Sequence, residues 1–316
     1  MSLRLCAEGS LEARGADPWL TATTYNLCFW LGEDYSYVYL PSDEPSVAVV
    51  LRNGGYKLYS QSCSNVDELV EKLEEAMGLR EDPSEFYSKA RGDPLLGPFA
   101  VEYSGWRLRS SGLWWALVTA TCQQNASFKQ GWGMLHRLVE AYGKHVEVGG
   151  AKVLRPPTPS EVLENVEKLL EAGVGYRSRT IVNAARFLLE SGVSERELSR
   201  IKPEKAEKVL RGIKGVGPYT ARLAITFSTR RYELPPIDRW LMRIASTAYS
   251  IDEKLVEEYW VDMWGKWSAL AAVAVTVALD AEPLSRALAR LRSGQLLPNR
   301  AASPTPINMW GFCRQH

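Results

Sequence analysis

Residues 212–240 contain groups whose types and spacing can do chemistry. "GIKGVGPYTA" (212–221) sets Gly215 and Gly217 one residue apart, ahead of a proline and a helix-starting Thr-Ala pair. Glycine admits positive φ and lets a partner approach bare backbone. The amides of Gly215 and Gly217, with those opening the following helix, would form an anion-binding edge. Arg211, Lys214 and Arg222 add charge beside it. Further on, "LPPIDRWLMRIA" places Asp238 in an apolar, proline-preceded setting, with Trp240 two residues later. A carboxylate there has two uses. It caps the helix beginning "RWLMRI", or it stabilises positive charge and orients water in a cleft. The two are compatible, because a capping carboxylate has a fixed direction.

The elements that must hold these groups are helical. "KAEKVLR" and "RLAITFS" flank the glycine turn. Upstream, "GLWWALVTATCQQNASFKQGWGMLHRLVEAYG" reads as two helices broken near Gln123-Gln124-Asn125. "RPPTPSEVLENVEKLLEAG" opens with prolines and a Ser160 cap whose box is incomplete, since Leu163 stands where the partner belongs. "ALAAVAVTVAL" (269–279) is too short to span a bilayer and reads as a closely packed, buried helix. The first third differs. "YSYVYL" (35–40), "SVAVVL" and "YKLYSQ" alternate as strands do, the last two joined through "RNGG" as a hairpin. "NVDELVEKLEEAMG" (65–78) has helical spacing of its apolar residues. The expected fold class is α+β: an acidic antiparallel sheet domain with helices over 1–95, a helical body over 96–300, and an extended tail over 301–316.

Composition narrows the function classes. Hydrophobic residues at 46% and charged residues at 24% are ordinary globular values. The start "MSLRLCAEGS" lacks the features of a secretory signal. Five scattered cysteines without a CxxC pair, and three dispersed histidines, argue against a zinc site, an iron–sulfur cluster or a disulfide scaffold, and for a reducing, cytoplasmic compartment. The formal charge of +1 hides an asymmetry. Residues 1–95 carry 8 Lys/Arg against 16 Asp/Glu, while 174–245 carry 15 against 7. A basic block around the glycine turn points to a polyanion on that face; the alternative is a solvated helix surface.

The string helix–"GIKGVGPYTA"–helix resembles a helix-hairpin-helix motif, and the order of its surroundings is similar to the helix-hairpin-helix (HhH-GPD) DNA glycosylases. "LWWALVTATCQQNASFKQ" is similar to that family's first core helix and DNA-penetrating loop, "GVGYRSRTIVNAARFLLE" to the GYR segment of its 8-oxoguanine branch, and "MWGKWSALAAVAV" to its closing helix. The resemblance covers roughly 97–290 and implies a two-lobed all-α core with its hairpin at 212–220. It also implies that double-stranded DNA with a damaged base is the partner. The expected protein is a monomer, nucleoid-associated, with no membrane contact, metal or other cofactor.

On that resemblance Asp238 is the catalytic carboxylate, stabilising positive charge on the deoxyribose as the N-glycosidic bond breaks. Tyr219 and Trp240 are pocket walls. Gln124 and Asn125 are the wedge that fills the gap left by the extruded base. Lys214, Gly215, Val216, Gly217, Tyr176, Arg177 and Arg179 contact the DNA backbone. Tyr219 also stands at the position of the family's Schiff-base lysine, which implies a monofunctional, water-using enzyme. Ala272 and Thr276 stand where the 8-oxoguanine branch has a glutamine and a phenylalanine against the lesion. An alkylated purine is the implied substrate. The alternatives are 8-oxoguanine, a mismatched thymine or uracil, or, in a different class, a DNA-binding module with no activity.

Overall fold

The structure is a computed structural model that describes residues 1–11, 15–25, 34–40, 45–299 and 305–308. The N-terminal part is a four-stranded antiparallel sheet of β1 (Arg4–Ser10), β2 (Tyr35–Tyr39), β3 (Ser46–Leu51) and β4 (Gly55–Ser60), in the order β1-β4-β3-β2. Gly54, at φ 84°, makes the β3–β4 turn that "RNGG" predicts. Helix α1 (Pro18–Thr23) follows β1, and α2 (Val66–Ala76) packs Leu69, Leu73 and Ala76 inward, with Asn65 capping its first turn.

Helices α3 (Ser84–Arg91), α4 (Gly97–Glu102), α5 (Leu113–Gln123) and α6 (Phe128–Tyr142) begin the helical body. Phe86 of α3 is already part of its core, against Trp264 and Trp267. After α6 comes an element that the sequence reading missed. Strands β5 (His145–Val148) and β6 (Ala151–Leu154) form a hairpin around Gly149 and Gly150, both at positive φ. The helical body is therefore not all-α. The hairpin lays Val146, Val148 and Val153 against Leu3, Tyr37 and Val47 of the sheet domain.

The remainder runs α7 (Pro159–Glu164), α8 (Glu167–Glu171), α9 (Arg177–Ser191), α10 (Glu195–Arg200), α11 (Pro203–Arg211), α12 (Pro218–Thr229), α13 (Arg239–Tyr249), α14 (Val256–Trp264), α15 (Ser268–Ala278) and α16 (Leu284–Ser293). The cap of α7 is Thr158 rather than Ser160, and Glu161 completes the box that looked incomplete. Starting the helix two residues earlier brings the glutamate to the third position, where it reaches back to the Thr158 amide. Helix α15 is buried along nearly its whole length. Its small residues let α12, α13 and α14 pack closely around it.

The cysteine reading needs correction. Cys6 and Cys63 are joined as a disulfide that ties β1 to the segment after β4, their Cα atoms 5.2 Å apart. The residues are 57 apart in sequence, so only the sheet pairing of β1 with β4 brings them together. No helix among the described residues is long and apolar enough to cross a membrane. Of the tail, only Thr305–Asn308 is described, as a tight turn; the rest of 301–316 lies outside the described residues.

Candidate active site

The glycine turn adopts the conformation its sequence demands. Helix α11 ends at Arg211, and Gly215 takes φ 99° against the Thr180 side chain of α9, where a Cβ would collide with the threonine hydroxyl. At Gly217, by contrast, an added Cβ meets nothing within 4 Å. One glycine thus serves a close approach inside the protein, and the other faces open space at the start of α12. The Val216 amide is spent within the turn on the Ile213 carbonyl, at 3.0 Å, and its side chain is buried. Val216 is therefore removed from the expected backbone contacts. The amides of Gly215 and Gly217 have no partner among the described residues. Lys214 is exposed, its carbonyl held by Asn183 Nδ2 at 2.9 Å, and Arg179 is exposed on α9.

Several of the surrounding basic residues are braces. Arg222 is paired with Glu207 and Glu257 and donates to the Pro235 carbonyl, which fixes the segment leading to Asp238. Arg211 reaches Glu207. Arg177 is buried and donates to the Gln124 carbonyl, with the exposed Tyr176 ring stacked beside it and the Tyr176 hydroxyl 3.5 Å from the same oxygen. Arg177 is thus reassigned from DNA contact to support of the α5–α6 break. Gln124 is corrected likewise. Its Nε2 donates to Thr220 Oγ1 at 2.6 Å and to the Gly215 carbonyl at 3.1 Å, so the side chain is committed to the hairpin. Asn125 remains at the break, exposed, at φ 45°.

Beside the hairpin lies a pocket of about 180 Å³. A dry cavity of about 150 Å³ accommodates benzene, so a planar ring fits this space. Asp238 sits in its wall. Its carboxylate accepts the Leu241 amide at 2.8 Å and caps α13, so the capping and site readings coincide in one geometry. Apolar surroundings raise its carboxyl above the ordinary value, with the amides of Leu241 and Trp240 pulling it down. The residue nevertheless keeps an exposed face toward the cleft, so a ligand reaches it directly.

Tyr219 and Trp240 line the same pocket. Burial and the charge of Asp238 raise the Tyr219 phenol, which holds it protonated. Trp240 is oriented by its Nε1, which donates to the Glu282 carbonyl at 2.8 Å. Other tryptophans of the helical body lie elsewhere: Trp132, Trp264 and Trp267 are buried in the core, and Trp114 donates to the Pro157 carbonyl. Ala272 and Thr276 both face the pocket, as the alignment of the closing helix placed them. The sequence reading missed Gln123, Phe128 and Phe227, and above all Tyr25, which comes from the sheet domain. Gln123, Phe128 and Phe227 lie on helices whose apolar spacing was legible, but no spacing marks Tyr25.

No family model matches the chain. It is 28% identical over 181 residues to the DNA-3-methyladenine glycosylase of Bacillus subtilis (strain 168), a match covering 54% of this chain and 58% of that protein. The chain thus spans under two thirds of that relative's length. Among solved structures, the 3-methyladenine DNA-glycosylase from Archaeoglobus fulgidus superposes with a TM-score of 0.71 at 21% identity, over 85% of this chain and 97% of that one. The Clostridium acetobutylicum 8-oxoguanine glycosylase/lyase, in complex with DNA containing cytosine opposite 8-oxoguanine, gives 0.62 at 17% identity, over 85% and 90%. The resemblance to helix-hairpin-helix DNA glycosylases is borne out in the fold, and the structural match, at 85% of the chain, is wider than the stretch over which the sequence carries it.

Proposed function

We propose that this protein, built on the helix-hairpin-helix glycosylase fold, is a monofunctional DNA glycosylase. It binds duplex DNA, takes a damaged purine out of the stack and hydrolyses its N-glycosidic bond, the opening step of base excision repair. One observation carries the reading: Asp238 is at once a fixed helix cap and a reachable carboxylate in an aromatic pocket beside a backbone-exposing hairpin. As the bond breaks, positive charge develops on the deoxyribose, and a directed carboxylate stabilises it and orients the attacking water. The amides of Gly215 and Gly217, without a partner among the described residues, and the exposed Lys214 and Arg179 meet phosphates, while Asn125 stands at the break as the candidate wedge.

An alkylated purine is the preferred substrate. Such a base carries positive charge and leaves readily, so an aromatic cleft and one carboxylate suffice, and the pocket holds both. Ala272 and Thr276 offer none of the lesion contacts of an 8-oxoguanine site. Water is the nucleophile, because Tyr219 occupies the lysine position and the pocket lining contains no lysine. The reaction requires no cofactor.

The test uses duplexes bearing single defined lesions, scored for abasic sites with and without alkali. Strand breaks should appear only after alkali, and borohydride should trap no covalent complex. Strong trapping would overturn the monofunctional assignment, and an Asp238→Asn variant releasing bases at the wild-type rate would overturn the catalytic one.

A further inference from the structure

Tyr25 follows α1 of the sheet domain yet lines the pocket of the helical body. Its φ of 50° is a left-handed conformation that costs a residue with a Cβ about 1–2 kcal/mol. Four contacts hold it there. Its amide donates to the Pro306 carbonyl at 2.7 Å. Its ring meets Phe128 edge-on at 6.0 Å and lies tilted against Phe227 at 5.5 Å. Its hydroxyl lies beside Thr276. Pro306 is fixed in turn, since Asn308 Oδ1 accepts the amide and the hydroxyl of Thr305 at 2.7 and 2.8 Å. A phenylalanine would serve the ring contacts equally well; the hydroxyl adds a polar group to a wall shared with Asp238.

We propose that Tyr25 is a specificity-determining residue whose hydroxyl donates a hydrogen bond to an acceptor atom of the extruded base, extending release from cationic alkylated purines to neutral purines. This rests on the glycosylase reading. When the glycosidic C–N bond breaks, its electron pair goes to the base. A ring-alkylated purine is positively charged and departs neutral. An uncharged purine departs with negative charge on its ring, and a donor that shares this charge lowers the barrier. Water then adds to the sugar and loses its proton through Asp238 to solvent, while the departed base takes a proton from solvent. Tyr25 keeps its own proton throughout, because burial and the neighbouring carboxylate hold its phenol protonated.

The experiment compares wild type and Tyr25→Phe on duplexes carrying a single hypoxanthine (neutral) or a single 7-methylguanine (cationic). The variant should lower the ratio of hypoxanthine to 7-methylguanine release by about tenfold or more, a typical effect of removing one such donor. Equal loss of both activities, or an unchanged ratio, overturns the proposal. A wild-type protein that releases 7-methylguanine but no hypoxanthine overturns this inference and leaves the glycosylase reading standing. One that releases neither overturns both.

Discussion

Gln124 Nε2 lies 3.1 Å from the Gly215 carbonyl oxygen, which joins the α5–α6 break to the hairpin between α11 and α12. Two parts of the surface proposed to face DNA, 91 residues apart in sequence, are therefore set by one side chain. Gln124→Ala removes this bond and the one to Thr220 Oγ1. The expected loss is about 1–2 kcal/mol of stability, seen as a lower melting temperature, together with weaker DNA binding than a surface change would give. Unchanged melting and unchanged affinity would show that the link holds nothing.

Asp238→Asn separates chemistry from structure. Asparagine caps as well as aspartate, so α13 should persist. Base release should fall by about a hundredfold or more while duplex affinity is retained. The sign for stability follows from the raised carboxyl. Ionising Asp238 costs stability as pH rises from the unfolded-state value through the higher folded one, and the cost persists at neutral pH. The asparagine variant should therefore melt no lower than wild type at pH 7. A clear drop in melting temperature would mean that the carboxylate is chiefly structural.

The same shift fixes the acid side of the rate profile. The proposed mechanism needs the ionised form, and burial makes that form harder to reach. The acid limb of single-turnover base release should turn at a pH above the ordinary aspartate value of 3.8 and vanish in Asp238→Asn. A limb at or below that value would contradict the crowding seen around the carboxyl.

Phosphate contacts are read through salt. Removing one cation that meets phosphate lowers the slope of log K against log salt by about 0.9. Lys214→Ala and Arg179→Ala should each do so, measured by titrating an undamaged duplex, with the preference among lesions unaltered. Arg177→Ala should behave differently. It strips support from the Gln124 carbonyl, so instability rather than a changed slope is expected.

The Cys6–Cys63 disulfide closes a span of 57 residues. Restricting the unfolded chain over such a loop is worth about 4 kcal/mol. Reduction, or Cys6→Ser, should lower the thermal stability of the sheet domain correspondingly. An identical melt with and without reductant would show that sheet pairing alone suffices.

Much of this was legible in the sequence, and the exceptions share a cause. Local patterns found the β3–β4 hairpin, α2, the break at 123–125 and the cap at Asp238, because each depends on neighbours a few residues away. Long-range packing was invisible. Gln124 looked like an exposed amide and proved to be tied to Gly215 and Thr220. Arg177 looked like a surface cation and is buried under that break. The cysteines looked unpaired because their pairing depends on strand register. Strands β5 and β6 were submerged in a helical stretch, although "HVEVGGAKVL" alternates on both sides of its glycines. Tyr25 has no local mark at all: its backbone is held by Pro306, some 280 positions away.

The docking of β5–β6 on the sheet has a consequence for biosynthesis. The amide of Leu3 donates to the Glu147 carbonyl at 2.9 Å, and the Glu147 amide returns to Met1 at 2.8 Å. Until residues 146–153 have been made, Leu3, Tyr37 and Val47 lack the three valines that pack on them in the folded protein. This face of the sheet therefore gains its hairpin cover only after about a hundred further residues beyond Val47 have been synthesised, so its packing is completed late in the making of the chain.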